Sequence, residues 1–155
     1  MGEYNDRNGR DNILGQCTEI NRAIDQLDRQ LDDLDRVFRQ SLARPDMPSG
    51  EIDRLSADIM TVYRSLVDRV KRIKSNPQAA SSMNASQVGR TDRRLKQTIQ
   101  KYQTLESGFR KESQQAAERQ YRIVRPDATE AEVREAVSDP SAPIFQQAVS
   151  LPAIK

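Results

Sequence analysis

From Ile13 to Phe38 the apolar residues fall at Ile13, Cys17, Ile20, Ile24, Leu27, Leu31, Leu34 and Phe38, spaced by four and three in unbroken alternation. That alternation keeps every one of these side chains on a single stripe of an α-helix, and a strand period of two cannot accommodate it. Charged residues such as Asp25, Arg29, Asp32 and Arg36 fill the other face. A rise of roughly 1.5 Å per residue makes the helix about 45 Å long. A helix with one apolar stripe owes most of its stability to whatever covers that stripe. The rest of the chain therefore has to supply a cover.

The pattern stops at "ARPDMPSG", where two prolines and a glycine make a turn. Glu51 and Asp53 then favour a helix start, because carboxylates complement the positive end of the helix dipole. Ile52, Ile59, Leu66 and Ile73 recur every seven residues, with Leu55 and Val62 between them and Val67 and Val70 widening the stripe. A stripe this broad faces more than one neighbour. After "NPQAASSMNASQ" a third repeat runs through Val88, Leu95, Tyr102, Phe109, Ala116 and Ile123. Its second seam is mixed: Ile99 and Leu105 are apolar there, whereas Thr91, Thr98, Glu112 and Gln120 are not. One full seam beside one mixed seam reads as a helix packed on one side and partly open on the other.

Short connections between long helices make antiparallel neighbours. The fold class expected is all-α: an up-down-up antiparallel three-helix bundle over residues 11–125, with helices at about 11–44, 50–75 and 86–125. Residues 1–10, "MGEYNDRNGR", are polar and unpatterned and are expected to be disordered.

Composition argues against chemistry. The 155 residues contain no histidine and one cysteine, Cys17, so the commonest general base and the usual metal-ligand set are missing. Cys17 lies in the first seam and reads as a core residue. The carboxylates alternate with Arg and Lys along helix faces, as in solvated networks. No Gly-rich phosphate loop occurs. The expectation is a protein that is no enzyme, with no catalytic residue, no cofactor and no metal site. No run of apolar residues is long enough to span a bilayer, so the chain as written reads as soluble and intracellular. Two basic clusters, "RVKRIK" (Arg69 to Lys74) and "RTDRRLK" (Arg90 to Lys96), flank the second connection. A hairpin brings them to one end, either as a patch for phosphates and anionic headgroups or as a solubilising helix end.

The stretch "RQYRIVRPDATEAEVREAV" changes character at Arg125-Pro126. Proline disfavours helical geometry in the residue before it, so the third helix ends there. Thr129 followed by Glu132 is a capping box, and a short acidic helix is expected from about Glu130 to Val137. Residues 126–143 hold five acids and one Arg, and this negative linker is placed to lie back electrostatically on the basic third helix. After Pro143, "IFQQAV" looks like the first turns of another helix.

These residues carry a resemblance. "RQYRIVRPDATEAEVREAV…IFQQAV" resembles the junction between the N-terminal domain and the SNARE motif of fungal plasma-membrane syntaxins (Qa-SNAREs, t-SNAREs). "ILGQCTEINRAIDQLDRQLDDLDRV" resembles the first helix of their regulatory Habc domain. The resemblance covers about residues 11–149 and implies a regulatory domain of vesicle docking and fusion in exocytosis. In that family the Habc domain restrains SNARE assembly by folding back on the SNARE helix, and it engages SM-family proteins. By that resemblance, Thr91, Thr98, Leu105, Glu112 and Gln120 would receive the SNARE helix. Arg125, Pro126, Thr129, Glu130, Glu132 and Glu135 would form the hinge, and Ile144, Phe145, Gln146 and Gln147 would begin the SNARE motif within residues 144–155. The implied partners are the chain's own SNARE helix, SNAP-25-like and synaptobrevin-like proteins and an SM protein, at the cytoplasmic face of the plasma membrane. The central glutamine layer and membrane anchor of the family are not in these 155 residues. Two other readings stay open: a coiled-coil protein that dimerises through the same heptads, and a basic helical module that binds nucleic acid.

Overall fold

The computed structural model describes residues 2–44 and 50–138, with side chains from Ile13 onward. Helix α1 spans Gly2–Ala43, α2 spans Gly50–Ser75, α3 spans Ser82–Val124 and α4 spans Glu130–Ala136, with a 3-10 turn at Pro77–Ala80 between α2 and α3. The chain divides into two compact units. The first comprises Met1–Leu34 with Asp53–Gln103, and the second Asp35–Ile52 with Thr104–Lys155.

Each boundary has a local cause. Asn76 precedes Pro77 and sits in extended geometry (φ −77°, ψ 127°), which ends α2. Its side chain accepts a hydrogen bond from the Gln78 N–H at 3.0 Å, capping the 3-10 turn. Pro126 stops α3 in the same way after the Arg125 N–H has closed a last bond to the Tyr121 carbonyl at 2.7 Å. Two boundaries depart from the sequence reading. α1 begins at Gly2, where the sequence suggested an unpatterned, disordered segment. Once a helix is nucleated, extending it through polar residues costs little per residue, and the absence of an apolar stripe does not stop it. α3 begins at Ser82, some four residues before the expected start.

In the first unit the direction of the helices can be read from their cross-links. α1 meets α3 through Asn21–Thr91, Asp25–Arg94 and Asp32–Lys101, pairs whose numbers rise together, so these helices are parallel. α1 meets α2 with Ile13 beside Ile73 and Glu19 bonded to Arg69, numbers that run oppositely. α2 meets α3 through Lys74–Asp92 across the short connection. Up, down, up is the topology the hairpin spacing predicts. All eight apolar residues of the α1 seam are buried, Ile20, Ile24, Leu27, Leu31 and Leu34 completely. From α2, Ile59, Leu66, Val70 and Ile73 join the core of this unit, and from α3 Val88, Leu95 and Tyr102. Each such side chain contributes roughly 1.5–3 kcal/mol of transfer free energy.

In the second unit Phe38 and Phe109 stack, with ring centroids 4.1 Å apart and planes 8° from parallel. A separate small cluster joins Tyr121 of α3 to Val133 and Ala136 of α4, with Ala128 of the connection packed against it.

The third seam corrects the sequence reading near its end. Ile123 is 72% exposed, and Ala117 and Tyr121 are buried in its stead. A strict seven-residue step drifts by about 20° per heptad on a straight helix, so five heptads after Val88 the drift reaches about 100°. Counted at about 100° per residue, Ala117 lies within about 20° of Val88 and Tyr121 within about 60°.

Candidate functional site

The mixed seam of α3 is where the sequence placed an open face. Thr91 is 1% exposed and Thr98 6%, so these two belong to the interior of the first unit. Thr91 receives a hydrogen bond from the Asn21 amide at 3.3 Å, and Thr98 donates to the Arg94 carbonyl one turn back at 3.0 Å. A threonine that satisfies its hydroxyl in this way presents only a methyl group to the core. The open-face reading is therefore wrong at these positions. In the second unit, Leu105 and Gln120 are half-buried and Glu112 is exposed.

Thr91 also bonds to Cys17. Burial pushes the Cys17 thiol above its ordinary value, and the hydrogen bond with Thr91 opposes that in part. A thiol held protonated inside a core is a poor nucleophile.

Around Thr91 a polar strip joins α1 to α3. The Arg94 guanidinium meets Asp25 at 2.7 Å and Asp28 at 3.7 Å, and it also reaches the backbone and side-chain oxygens of Asn21 at 3.4 Å. Asp92 accepts Lys74 at 2.8 Å and Lys96 at 3.0 Å. Burial alone would push the Asp92 carboxyl up. The hydrogen bonds and charges of the two lysines outweigh it and hold the group below the usual carboxylate range. Arg69, Lys74, Arg94 and Lys96 are thus committed to carboxylates. Four of the eight cations in the two clusters are spent on internal pairing, which lowers the charge available to a nucleic-acid backbone.

A surface cleft of about 520 Å³ lies between α1 and α2, lined in part by Ile13, Gln16, Glu19, Arg69, Arg72 and Ile73. Asn84, the acceptor residue of an Asn-Ala-Ser sequon, is 1% exposed, and its amide donates to the Gln78 carbonyl at 3.0 Å. It serves the α2–α3 connection and offers no surface for a glycan. No group of three or more Cys, Asp or Glu residues among the described residues could hold a metal, and no helix of the described residues is long and apolar enough to cross a membrane.

At the linker junction Thr129 caps α4, its hydroxyl accepting the Glu132 N–H at 3.1 Å. Glu130 and Glu132 stand in the first turn, where the dipole favours them. The expected electrostatic docking of this segment is not what holds it. Glu130, Glu132 and Glu135 are all exposed, and Glu130 pairs with Arg134 of the same short helix at 3.5 Å. Contact with α3 is apolar, through Val133 and Ala136 on Tyr121. The sequence reading missed this contact, although Val133 and Ala136 have the spacing of a helix face. Arg125 reaches Asp127 at 3.8 Å across the turn. Ile144, Phe145, Gln146 and Gln147 lie outside the described residues.

A dimer zipped through the α1 seam would need that seam free. Ile20, Ile24, Leu27 and Leu31 have no exposed surface within the single chain.

The syntaxin family model matches residues 8–149. The chain is 26% identical over 159 residues to "Protein transport protein SSO2" of Candida albicans, covering 95% of this chain and 53% of that protein. It is 27% identical over 143 residues to "Protein SSO1" of Saccharomyces cerevisiae, covering 88% of this chain and 49% of that one. The chain thus spans about half the length of the curated relatives it matches. The family match runs through the three-helix unit, the proline stop and the linker helix alike, and the chain belongs to the syntaxin family.

Proposed function

We propose that this chain is the N-terminal regulatory module of a syntaxin-like t-SNARE acting in vesicle docking and fusion during exocytosis, at the cytoplasmic face of the plasma membrane. The observation that carries the proposal is the family match over residues 8–149, which includes the linker as well as the helical bundle. One relative is itself described as a protein transport protein. The role is non-catalytic, and its business is binding.

The module restrains SNARE assembly by a closed conformation and engages an SM-family protein. Its SNARE partners are the chain's own SNARE helix, beginning near Ile144, and SNAP-25-like and synaptobrevin-like proteins. Burial of Thr91 and Thr98 removes them from the receiving face. Half-buried Leu105 and Gln120, with exposed Glu112, offer the mixture of apolar and polar surface that a helix dock requires. The hinge runs from Arg125 through Thr129, and opening it sets the Tyr121–Val133 contact against solvent exposure.

The test is a titration of isotope-labelled chain with a separate SNARE-motif peptide, read by two-dimensional NMR. Shifts at Leu105, Glu112 and Gln120 are the expected result. An unchanged spectrum at saturating peptide overturns the receiving face, and failure to retain an SM protein in a pull-down overturns that partnership.

A further inference from the structure

The segment "KRIKSNP" places Ser75 as the last residue of α2, with Lys71, Arg72 and Lys74 before it and Asn76-Pro77 after it. We propose that Ser75 is a phosphoacceptor for a basic-directed serine kinase, with Lys71 and Arg72 serving first to recruit the kinase and then to clasp the phosphate.

Three observations support this. Ser75 is exposed, and its hydroxyl donates only to the Arg72 carbonyl of its own helix, at 2.7 Å. The chain leaves helical geometry at once after it, at Asn76 (φ −77°, ψ 127°), so the residues following the acceptor already run extended. A kinase groove that takes its substrate as a strand needs the last turn of α2 to fray, an opening that the buried Ile73 and the Lys74–Asp92 pair resist. The third observation concerns the cations that precede Ser75. Arg69, Lys74, Arg94 and Lys96 are bound to carboxylates. Lys71 pairs with none among the described residues, and Arg72, which lines the open cleft, makes only a 3.4 Å bond to the Asp68 carbonyl. These two cations precede Ser75 by four and three residues, the spacings that place side chains side by side on a helix. Cations at those positions complement an acidic substrate groove, the charge pattern by which such kinases discriminate.

In the reaction the Ser75 Oγ attacks the γ-phosphorus of Mg-ATP. The new O–P bond replaces the β,γ-bridging bond, ADP leaves, and the hydroxyl proton passes to the kinase's base. The product dianion sits at the C-terminal end of α2, an unfavourable place by the helix dipole. Asp92 adds no open charge, because Lys74 and Lys96 already cover it. Lys71 and Arg72 supply the compensation. Phosphorylation thereby engages two cations that otherwise pair with no carboxylate among the described residues.

The experiment incubates the purified full chain with Mg-ATP and a kinase that selects arginine three residues before the acceptor, and locates the phosphate by peptide mass spectrometry. A single phosphate on Ser75, abolished in Ser75→Ala and slowed about tenfold in Arg72→Ala, is the expected result. Incorporation that persists undiminished in Ser75→Ala overturns the site. The clasp is tested separately by ³¹P NMR titration of the phosphorylated chain. Its second ionisation should fall below the ordinary value of about 6 and return to it in the Lys71→Ala/Arg72→Ala variant. A phosphate that titrates identically in both proteins overturns the clasp.

Discussion

The two compact units are closed by different means. In the first, ion pairs join every pair of helices: Arg69–Glu19 links α2 to α1, Lys74–Asp92 links α2 to α3, and Arg94–Asp25 and Lys101–Asp32 link α3 to α1. Beneath them lies a continuous apolar seam from Ile13 to Leu34. In the second, the described ion pairs are local. Arg39–Asp35, Arg110–Glu106 and Arg134–Glu130 are each one turn apart on a single helix, and Arg125–Asp127 spans a turn. Contacts between elements among its described residues include one aromatic stack and one four-residue apolar cluster. Surface ion pairs are worth little energy individually, so those of the first unit mainly specify register. The lesson is that the first unit is over-determined, whereas α4 of the second is held by contacts few enough to be undone locally.

The harshest way to break this comparison is Ile24→Asp. Ile24 has no exposed surface, so the variant buries an unpaired carboxylate in the middle of the seam. The cost, above about 4 kcal/mol, is a large part of the whole stability of a domain this size. Loss of the cooperative thermal transition by circular dichroism is the expected outcome. A melt indistinguishable from the parent would mean that the seam does not hold the unit together.

That residue and its seven companions were fully legible in the sequence, because alternating steps of four and three admit one helix face and no other. Legibility faded where a second physical rule intervened. The α3 repeat was followed as a strict heptad, and the accumulated drift of a straight helix carried Ile123 out of the seam and Tyr121 into it. Thr91 and Thr98 were read as polar and therefore open. Back-bonding to the preceding turn, and a partner amide from Asn21, let threonine lie inside. Neither contact leaves a trace in a one-dimensional pattern. At the linker, the proline stop and the cap at Thr129 were plain, since both act within four residues. The surface on which α4 lands was not, because it depends on Tyr121, a residue the heptad had placed off the core.

Val133→Ala sharpens the contrast. Val133 is 1% exposed and central to the α4 contact. Removing its two methyl groups should cost about 1–3 kcal/mol, confined to α4. Amide exchange at Val133, Ala136 and Val137 is expected to accelerate, while the amides of residues 20–34 keep their protection. Equal acceleration in both regions would show that the linker helix unfolds only with the bundle. Thr129→Ala attacks the same helix from its start and is the milder change, at about 1 kcal/mol. It removes the acceptor of the Glu132 N–H and should speed exchange at that amide above all.

The smallest effect belongs to the first unit, and it tests whether the ion pairs set register more than stability. Lys74 and Lys96 hold the Asp92 carboxyl below its ordinary value against the opposing influence of burial. A depressed value in the folded state means that the unfolded chain binds this proton more tightly. The resulting stabilisation is complete above the unfolded value of about 3.9 and is lost as pH falls through the folded one. Asp92→Asn lacks it at every pH. The difference in melting temperature between parent and variant should therefore be constant from neutrality down to about pH 5 and shrink below that. At neutrality it should correspond to less than about 1 kcal/mol, because the lysine side chains are themselves 48% and 66% exposed to solvent. A larger, pH-independent loss would assign Asp92 a packing role. A loss that grows on acidification would reverse the sign of the linkage and with it the claim that the lysines outweigh burial.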